Sequence, residues 1–152
     1  MGILGYPLGH SISPAFHTAA FHHYGLDTRY EAWQTPPEAL AASVARLREV
    51  GYLGASITLP HKIAVCDLVD ELDPWAKTIG SVNTIVNQEG SLIGFNTDAY
   101  GFIESLRAEA GFEARGKSAV LIGAGGVSRA AARGLAREGV ASLVIANRTL
   151  SH

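Results

Sequence analysis

A glycine cluster, Gly123-Ala124-Gly125-Gly126, stands directly after the apolar run 118–122. An alanine-rich segment, 127–138, follows it and leads to a second apolar run at 141–146. Strand, tight turn, helix and strand make one β-α-β unit, and this unit constrains the fold more than any other feature of the chain. Continuous apolar strands of this kind predict a parallel sheet buried on both faces. A turn that receives a dinucleotide needs glycine for a tight bend, for close approach of the backbone to a pyrophosphate, and for close seating of the helix on the strand. Gly123 and Gly125 suit the first two needs, Gly126 adds freedom, and Ser128 stands at the third glycine position. Glycine-rich strand ends also occur without ligands, so the next strand end decides between cofactors. An NAD site places a carboxylate there for the ribose hydroxyls. This chain has Asn147-Arg148-Thr149 instead. A guanidinium suits the 2′-phosphate of NADP, which favours NADP over NAD; an exposed loop arginine is the plainer alternative.

The first two thirds of the chain alternate in the same way. Residues 3–5 read as a short strand. Ser13-Pro14 reads as a serine cap with proline in the first turn, opening a helix that runs towards Gly25. Residues 28–35 alternate and carry aromatics, which predicts a strand. Residues 37–50 place apolar side chains at helical spacing and stop at Gly51. A β segment at 52–59 ends at Pro60. A helix is expected over 60–72, and a short one over 75–79. Residues 82–87 and 91–95 flank Gln88-Glu89-Gly90, a hairpin signal. Residues 98–110 predict a helix with Gly111 just past its end. The fold class is α/β, with a boundary between two domains near 99–116.

Composition narrows the functional classes. The chain has 152 residues with 47% hydrophobic content, enough for one ordinary core or for a small domain plus part of another. A formal net charge of −2, with scattered basic residues, gives no general attraction to nucleic acid or to an anionic membrane. The single Cys66 excludes an internal disulfide and offers no metal-ligand cluster, so no metal is expected. No leader pattern and no apolar run of about 18 residues is present. A soluble, cytoplasmic protein is the expectation.

Polar residues gather at predicted strand ends, where open α/β sheets bind ligands. Lys62 follows Thr58-Leu59-Pro60-His61 there, and a lysine in a cleft can exchange a proton with a substrate hydroxyl. Asp98 is the best candidate to hold its ammonium. A solvated helix-start lysine and a helix-capping aspartate are the plainer readings. Ser11 and Ser13 offer two hydroxyls beside a helix start, a cradle for a carboxylate; Ser13 as a simple cap is equally consistent. Asn83-Thr84 lies in a strand-like segment where polar groups need partners, which a polyol would supply. His17, His22 and His23 read as structural or surface residues.

In this order, Ser11-x-Ser13-Pro14, Thr58-x-Pro60-x-Lys62, Gly80-x-Val82-Asn83-Thr84, Gly94-x-Asn96-Thr97-Asp98, Gly123-Ala124-Gly125-Gly126 and Asn147-Arg148-Thr149 resemble the motif set of shikimate dehydrogenases over essentially the whole chain. The resemblance implies NADP-dependent, reversible reduction of 3-dehydroshikimate to shikimate in aromatic amino-acid biosynthesis. It implies a three-layer α/β substrate domain over 1–99, followed by a partial Rossmann-type β-α-β unit over 100–152. By the same resemblance Lys62 and Asp98 act at the reacting hydroxyl. Ser11 and Ser13 hold the substrate carboxylate, and Thr58, Asn83 and Asp98 contact ring hydroxyls. Gly123, Ala124, Gly125, Gly126 and Val127, with Asn147, Arg148 and Thr149, bind NADP.

Three departures stand out. Ser56 replaces a common asparagine. His152 stands where a second basic residue is common, which loosens the phosphate clamp. The returning C-terminal segment of the family is missing, which reads as a truncated chain expected to bind a shikimate-like ligand weakly and to turn over poorly. An incomplete sheet would favour self-association or a homodimer. Alternatives are a quinate/shikimate dehydrogenase using NAD or NADP, a non-catalytic binding fragment, and a methylenetetrahydrofolate dehydrogenase, which the Ser-x-Ser-Pro and Asn-Thr-Asp segments oppose.

Overall fold

The structure, a computed structural model, describes residues 1–149; the reading of His152 lies outside the described residues. Among the described residues, eight strands and five helices follow one another as β1 (Gly2–Gly5), α1 (Ser13–His23), β2 (Glu31–Gln34), α2 (Leu40–Arg46), β3 (Gly54–Ile57), β4 (Glu71–Leu72), α3 (Pro74–Ile79), β5 (Thr84–Gln88), β6 (Ser91–Phe95), α4 (Asp98–Ala110), β7 (Ser118–Ile122), α5 (Gly126–Arg137) and β8 (Ser142–Ala146). The first six strands form one mixed sheet in the order β2-β1-β3-β5-β6-β4. β1 pairs parallel to both β2 and β3, whereas β5 runs antiparallel to β3 and to β6.

Neighbouring side chains on a strand point to opposite faces, so Ile3 and Leu4 divide the core in two. Leu4, Ala55, Ile57, Ile85 and Leu92 pack with Leu40 and Val44 of α2. Ile3, Leu8 and Tyr30 pack on the other face with Phe21 of α1. The result is a three-layer α/β unit. His17 of α1 stacks on Tyr30 with ring centroids 4.1 Å apart, and burial there holds its imidazole below the usual range. The β5–β6 hairpin turns through Glu89 and Gly90, both at positive φ (54° and 94°), which is the mirror-image turn that matches strand twist.

The second unit is the parallel pair β7–β8, joined by α5, with Ser118 opposite Ser142 and Ile122 opposite Ala146. α5 lies against α4 through Gly134, whose added β-carbon would meet Ile103 Cγ1 at 2.9 Å. Among the described residues no helix is long and apolar enough to cross a membrane.

Several expectations are corrected. No helix spans 60–72: that stretch is a turn, a 3-10 turn at Ala64–Asp67, and strand β4 paired to β6. The Asp70 N–H donates to the Leu92 carbonyl at 2.9 Å and its carboxylate accepts the Leu92 N–H at 2.7 Å, and this attachment to β6 overrides the local helical pattern. The helix expected over 37–50 shortens to a 3-10 turn at Pro37–Ala39 and then α2. The strand expected over 28–35 shortens to Glu31–Gln34, matching the four residues of its neighbour β1. Ser13 does not cap α1: Ile12 is already in the helical region and its carbonyl accepts the Ala15 and Phe16 N–H groups. The β7–β8 pair is parallel but not buried on both faces: Ala119, Leu121 and Leu143 pack against Ile103 of α4, against Ala114 and against Leu135 of α5, whereas Val120 is 68% and Ile122 89% exposed.

Candidate active site

Strand direction explains why distant segments meet. β1, β3 and β6 point the same way, and β5 runs against them. The C-terminal ends of three strands and the N-terminal end of the fourth therefore share one edge of the sheet. That edge receives the loop with Ser11 and Ser13, the segment Thr58–Lys62, Asn83, and Asn96-Thr97-Asp98.

Lys62 Nζ donates to Asp98 Oδ2 at 2.8 Å, with the two side chains 12% and 23% exposed. Asp98 Oδ1 accepts from Asn83 Nδ2 at 2.7 Å, and the same amide donates to Thr97 Oγ1 at 2.8 Å. Asn83 Oδ1 accepts from the Thr97 N–H at 3.0 Å and from Thr84 Oγ1 at 3.0 Å. Each oxygen of Asp98 thus has a fixed partner. A part-buried ammonium–carboxylate pair of this kind holds its geometry better than an exposed one. The capping reading of Asp98 does not hold: its side chain makes no cap bond, and Asn96 Oδ1 accepts the Asp98 and Ala99 N–H groups at 3.0 and 3.4 Å. Asn96, 8% exposed, also donates to the Ser81 carbonyl at 2.8 Å. Its place in the Asn-Thr-Asp segment was visible in the sequence, but this role was not. An asparagine two residues before a helix is the signal that identifies such a cap.

The segment carrying Lys62 is held from both sides. The Val82 N–H donates to the Lys62 carbonyl at 2.7 Å. His61 is 2% exposed, and its ring Nε2 lies 2.6 Å from the Thr35 carbonyl, fixing Pro60-His61-Lys62 against the end of β2. Thr58 receives the chain after β1: its Cγ2 lies against Gly5, and the Tyr6 N–H donates to the Leu59 carbonyl at 2.9 Å. Ser56 Oγ accepts from the buried Tyr30 hydroxyl at 2.7 Å, so the replacement for asparagine is engaged within the fold. Ser11 Oγ accepts from the Ser13 N–H at 3.4 Å. No hydrogen bond links either serine to the Lys62 cluster among the described residues.

The glycine turn abuts this cluster. Gly123 takes φ +105°, and its N–H donates to the Ala146 carbonyl at 2.7 Å, tying the turn to the start of the Asn147–Thr149 loop. An added β-carbon on Gly125 would meet nothing within 4 Å. No side chain caps α5, whose first-turn N–H groups and open backbone fit a pyrophosphate. Asn147 Nδ2 donates to the Thr149 carbonyl at 2.7 Å, and Arg148 is exposed, with no ion-pair partner among the described residues. Cavities of about 390 and 250 Å³ lie along α3–α5 and α4–α5. Their linings include Trp75 and Arg137, stacked at 4.9 Å, but neither Lys62, Asp98 nor Asn83, so they are seams between elements, separate from the cluster at the sheet edge.

Known proteins resemble this chain along nearly all of its length. The family profile described as shikimate dehydrogenase substrate binding domain matches residues 3–85, and that of shikimate / quinate 5-dehydrogenase matches 106–152. The NADP(+) shikimate dehydrogenase of Methanopyrus kandleri is 47% identical over 99% of this chain and 52% of its own length. The shikimate 5-dehydrogenase of Thermus thermophilus, solved with NADP(H) and shikimate, superposes with a TM-score of 0.88 at 43% identity, covering 99% of this chain and 56% of that one. Ligand-free 5-ketofructose reductase of a Gluconobacter strain superposes at 0.83 with 39% identity, over 99% and 53% of the two chains. The chain spans about half the length of the curated relatives it matches. With a substrate-domain match over more than half of its residues and these relatives along its whole length, the chain belongs to the shikimate dehydrogenase family.

Proposed function

We propose that this chain supplies the substrate site and the first nucleotide-binding elements of an NADP-dependent dehydrogenase that interconverts 3-dehydroshikimate and shikimate. The observation that carries the reading is the Lys62–Asp98–Asn83 cluster standing directly beside the glycine turn, so that a reacting hydroxyl and a nicotinamide would meet. Residues 1–99 form the substrate domain and 100–152 the partial nucleotide domain. NADP, when bound, supplies or accepts the hydride. The chain's own residues handle orientation and the proton. Lys62 Nζ exchanges the proton of the hydroxyl whose carbon changes oxidation state, and Asp98 holds both that ammonium and the hydroxyl. Asn83 fixes Asp98 and, with Thr58, meets ring hydroxyls. Ser11 and Ser13 receive the substrate carboxylate. Gly123, Ala124, Gly125, Gly126 and Val127 cradle the pyrophosphate, and Asn147, Arg148 and Thr149 face the 2′-phosphate, which favours NADP. A cytoplasmic location belongs to this reading, as does self-association through the exposed apolar strands β7 and β8, which light scattering would read.

Calorimetric titration of the chain with shikimate tests the reading. Saturable heat is expected, weakened at least about 100-fold by Lys62→Ala or Asp98→Ala, as befits loss of a charged hydrogen bond of a few kcal/mol. Binding unaffected by both substitutions would sink the assignment. The quinate alternative, supported by the match of residues 106–152 to shikimate / quinate 5-dehydrogenases, predicts comparable heat with quinate.

A further inference from the structure

The glycines of the turn have separate reasons to be glycine. Gly123 has a backbone that disfavours a side chain, at φ +105°, and Gly125 is open to whatever approaches. Gly126 has neither property: its φ is not positive and it is buried. What it lacks is room. A β-carbon there would lie 2.7 Å from Ser81 Oγ, 3.0 Å from Lys62 Cβ and 3.3 Å from Lys62 Cδ. Ser81 is completely buried, and its hydroxyl has no hydrogen-bond partner among the described residues. It cannot retreat. Its N–H donates to the Ala76 carbonyl at 3.3 Å, its carbonyl accepts from Asn96, and the next residue's N–H holds the Lys62 carbonyl. Bulk added at Gly126 meets the stem of Lys62 as well as the Ser81 hydroxyl.

We propose that Gly126 is a positioning residue for Lys62. Its bare α-carbon, seated against the lysine stem and the Ser81 hydroxyl, makes the nucleotide-binding turn and the lysine amine one mechanical unit. The consequence for catalysis rests on the function proposed above; the positioning itself does not.

The test uses the full chain with ¹³C-labelled lysine, reading the Lys62 Cε–Hε correlation, assigned by its loss in Lys62→Arg. Gly126→Ala is expected to move this signal and to weaken shikimate binding roughly tenfold, the scale of a modest overpacking strain. Gly125→Ala, whose added methyl meets nothing, should leave the Lys62 signal in place. Ser81→Gly combined with Gly126→Ala removes the nearest clash and should return the signal most of the way. A Gly126→Ala signal at the wild-type position, or no recovery in the double variant, overturns the proposal. If Gly126→Ala is unfolded by circular dichroism, the double variant decides: it must fold and show the near-native signal, and failure of either overturns the proposal. Absence of shikimate binding by the unaltered chain, with the Lys62 signal still responding to Gly126→Ala, would reject the assigned substrate and retain the positioning.

Discussion

Asn96 shows how much of a site can depend on a residue that performs no chemistry. Its amide closes the start of α4 and satisfies the buried Ser81 carbonyl at the same time. Truncation removes a helix cap, costing about 1 kcal/mol, and strands a buried acceptor, costing about 1–3 kcal/mol more. Asn96→Ala should therefore lower stability by about 2–4 kcal/mol in a urea titration, with shikimate affinity falling as Asp98 loses its fixed starting point. A loss below about 0.5 kcal/mol would show that the cap bonds are not holding the helix start. Lys62, Asp98 and Asn83 were legible as candidates from their motifs at predicted strand ends, and the fold joins them in one hydrogen-bonded cluster. The work of Asn96, Ser81 and His61 was not legible. It depends on which buried carbonyl lies opposite, and that is settled only when strands far apart in sequence pair. Ser13 illustrates the reverse case, where a locally reasonable cap lost to a helix that had begun one residue earlier.

At the scale of elements, those with strong local signals formed where the pattern placed them. α4 ends at Gly111 in the left-handed region, and the β5–β6 hairpin turns on a two-residue loop. Residues 60–72 failed because β4 exists only by pairing with β6, a tertiary gain that periodicity cannot register. The seam between α4 and α5 is built on small residues: Ala99 and Ala130 are buried with Ile79, and Gly134 lets Ile103 approach. Gly134→Val should force the helices apart and cost about 1–3 kcal/mol, because overpacking outweighs the helical gain from replacing glycine. Thermal melts followed by far-ultraviolet circular dichroism would read this, and an unchanged or raised midpoint would mean that the seam has slack.

For the whole molecule, the site is a property of the assembled sheet. The residues proposed for it run from Ser11 to Asp98 and reach one edge only because one strand of the central four is reversed. A chain with any of these strands unpaired has no site, so ligand binds the folded state alone. Shikimate at about 100 times its dissociation constant should add about 2.7 kcal/mol and raise the melting midpoint, whereas Lys62→Ala, binding at least about 100-fold more weakly, should gain no more than about 0.4 kcal/mol. An equal rise in that variant would place the ligand elsewhere. The reversed strand thereby makes a dye-based heat-stability screen a selection for site geometry. Variants of the sheet edge could be sorted by how far a ligand lifts their melting point, without assaying turnover at all.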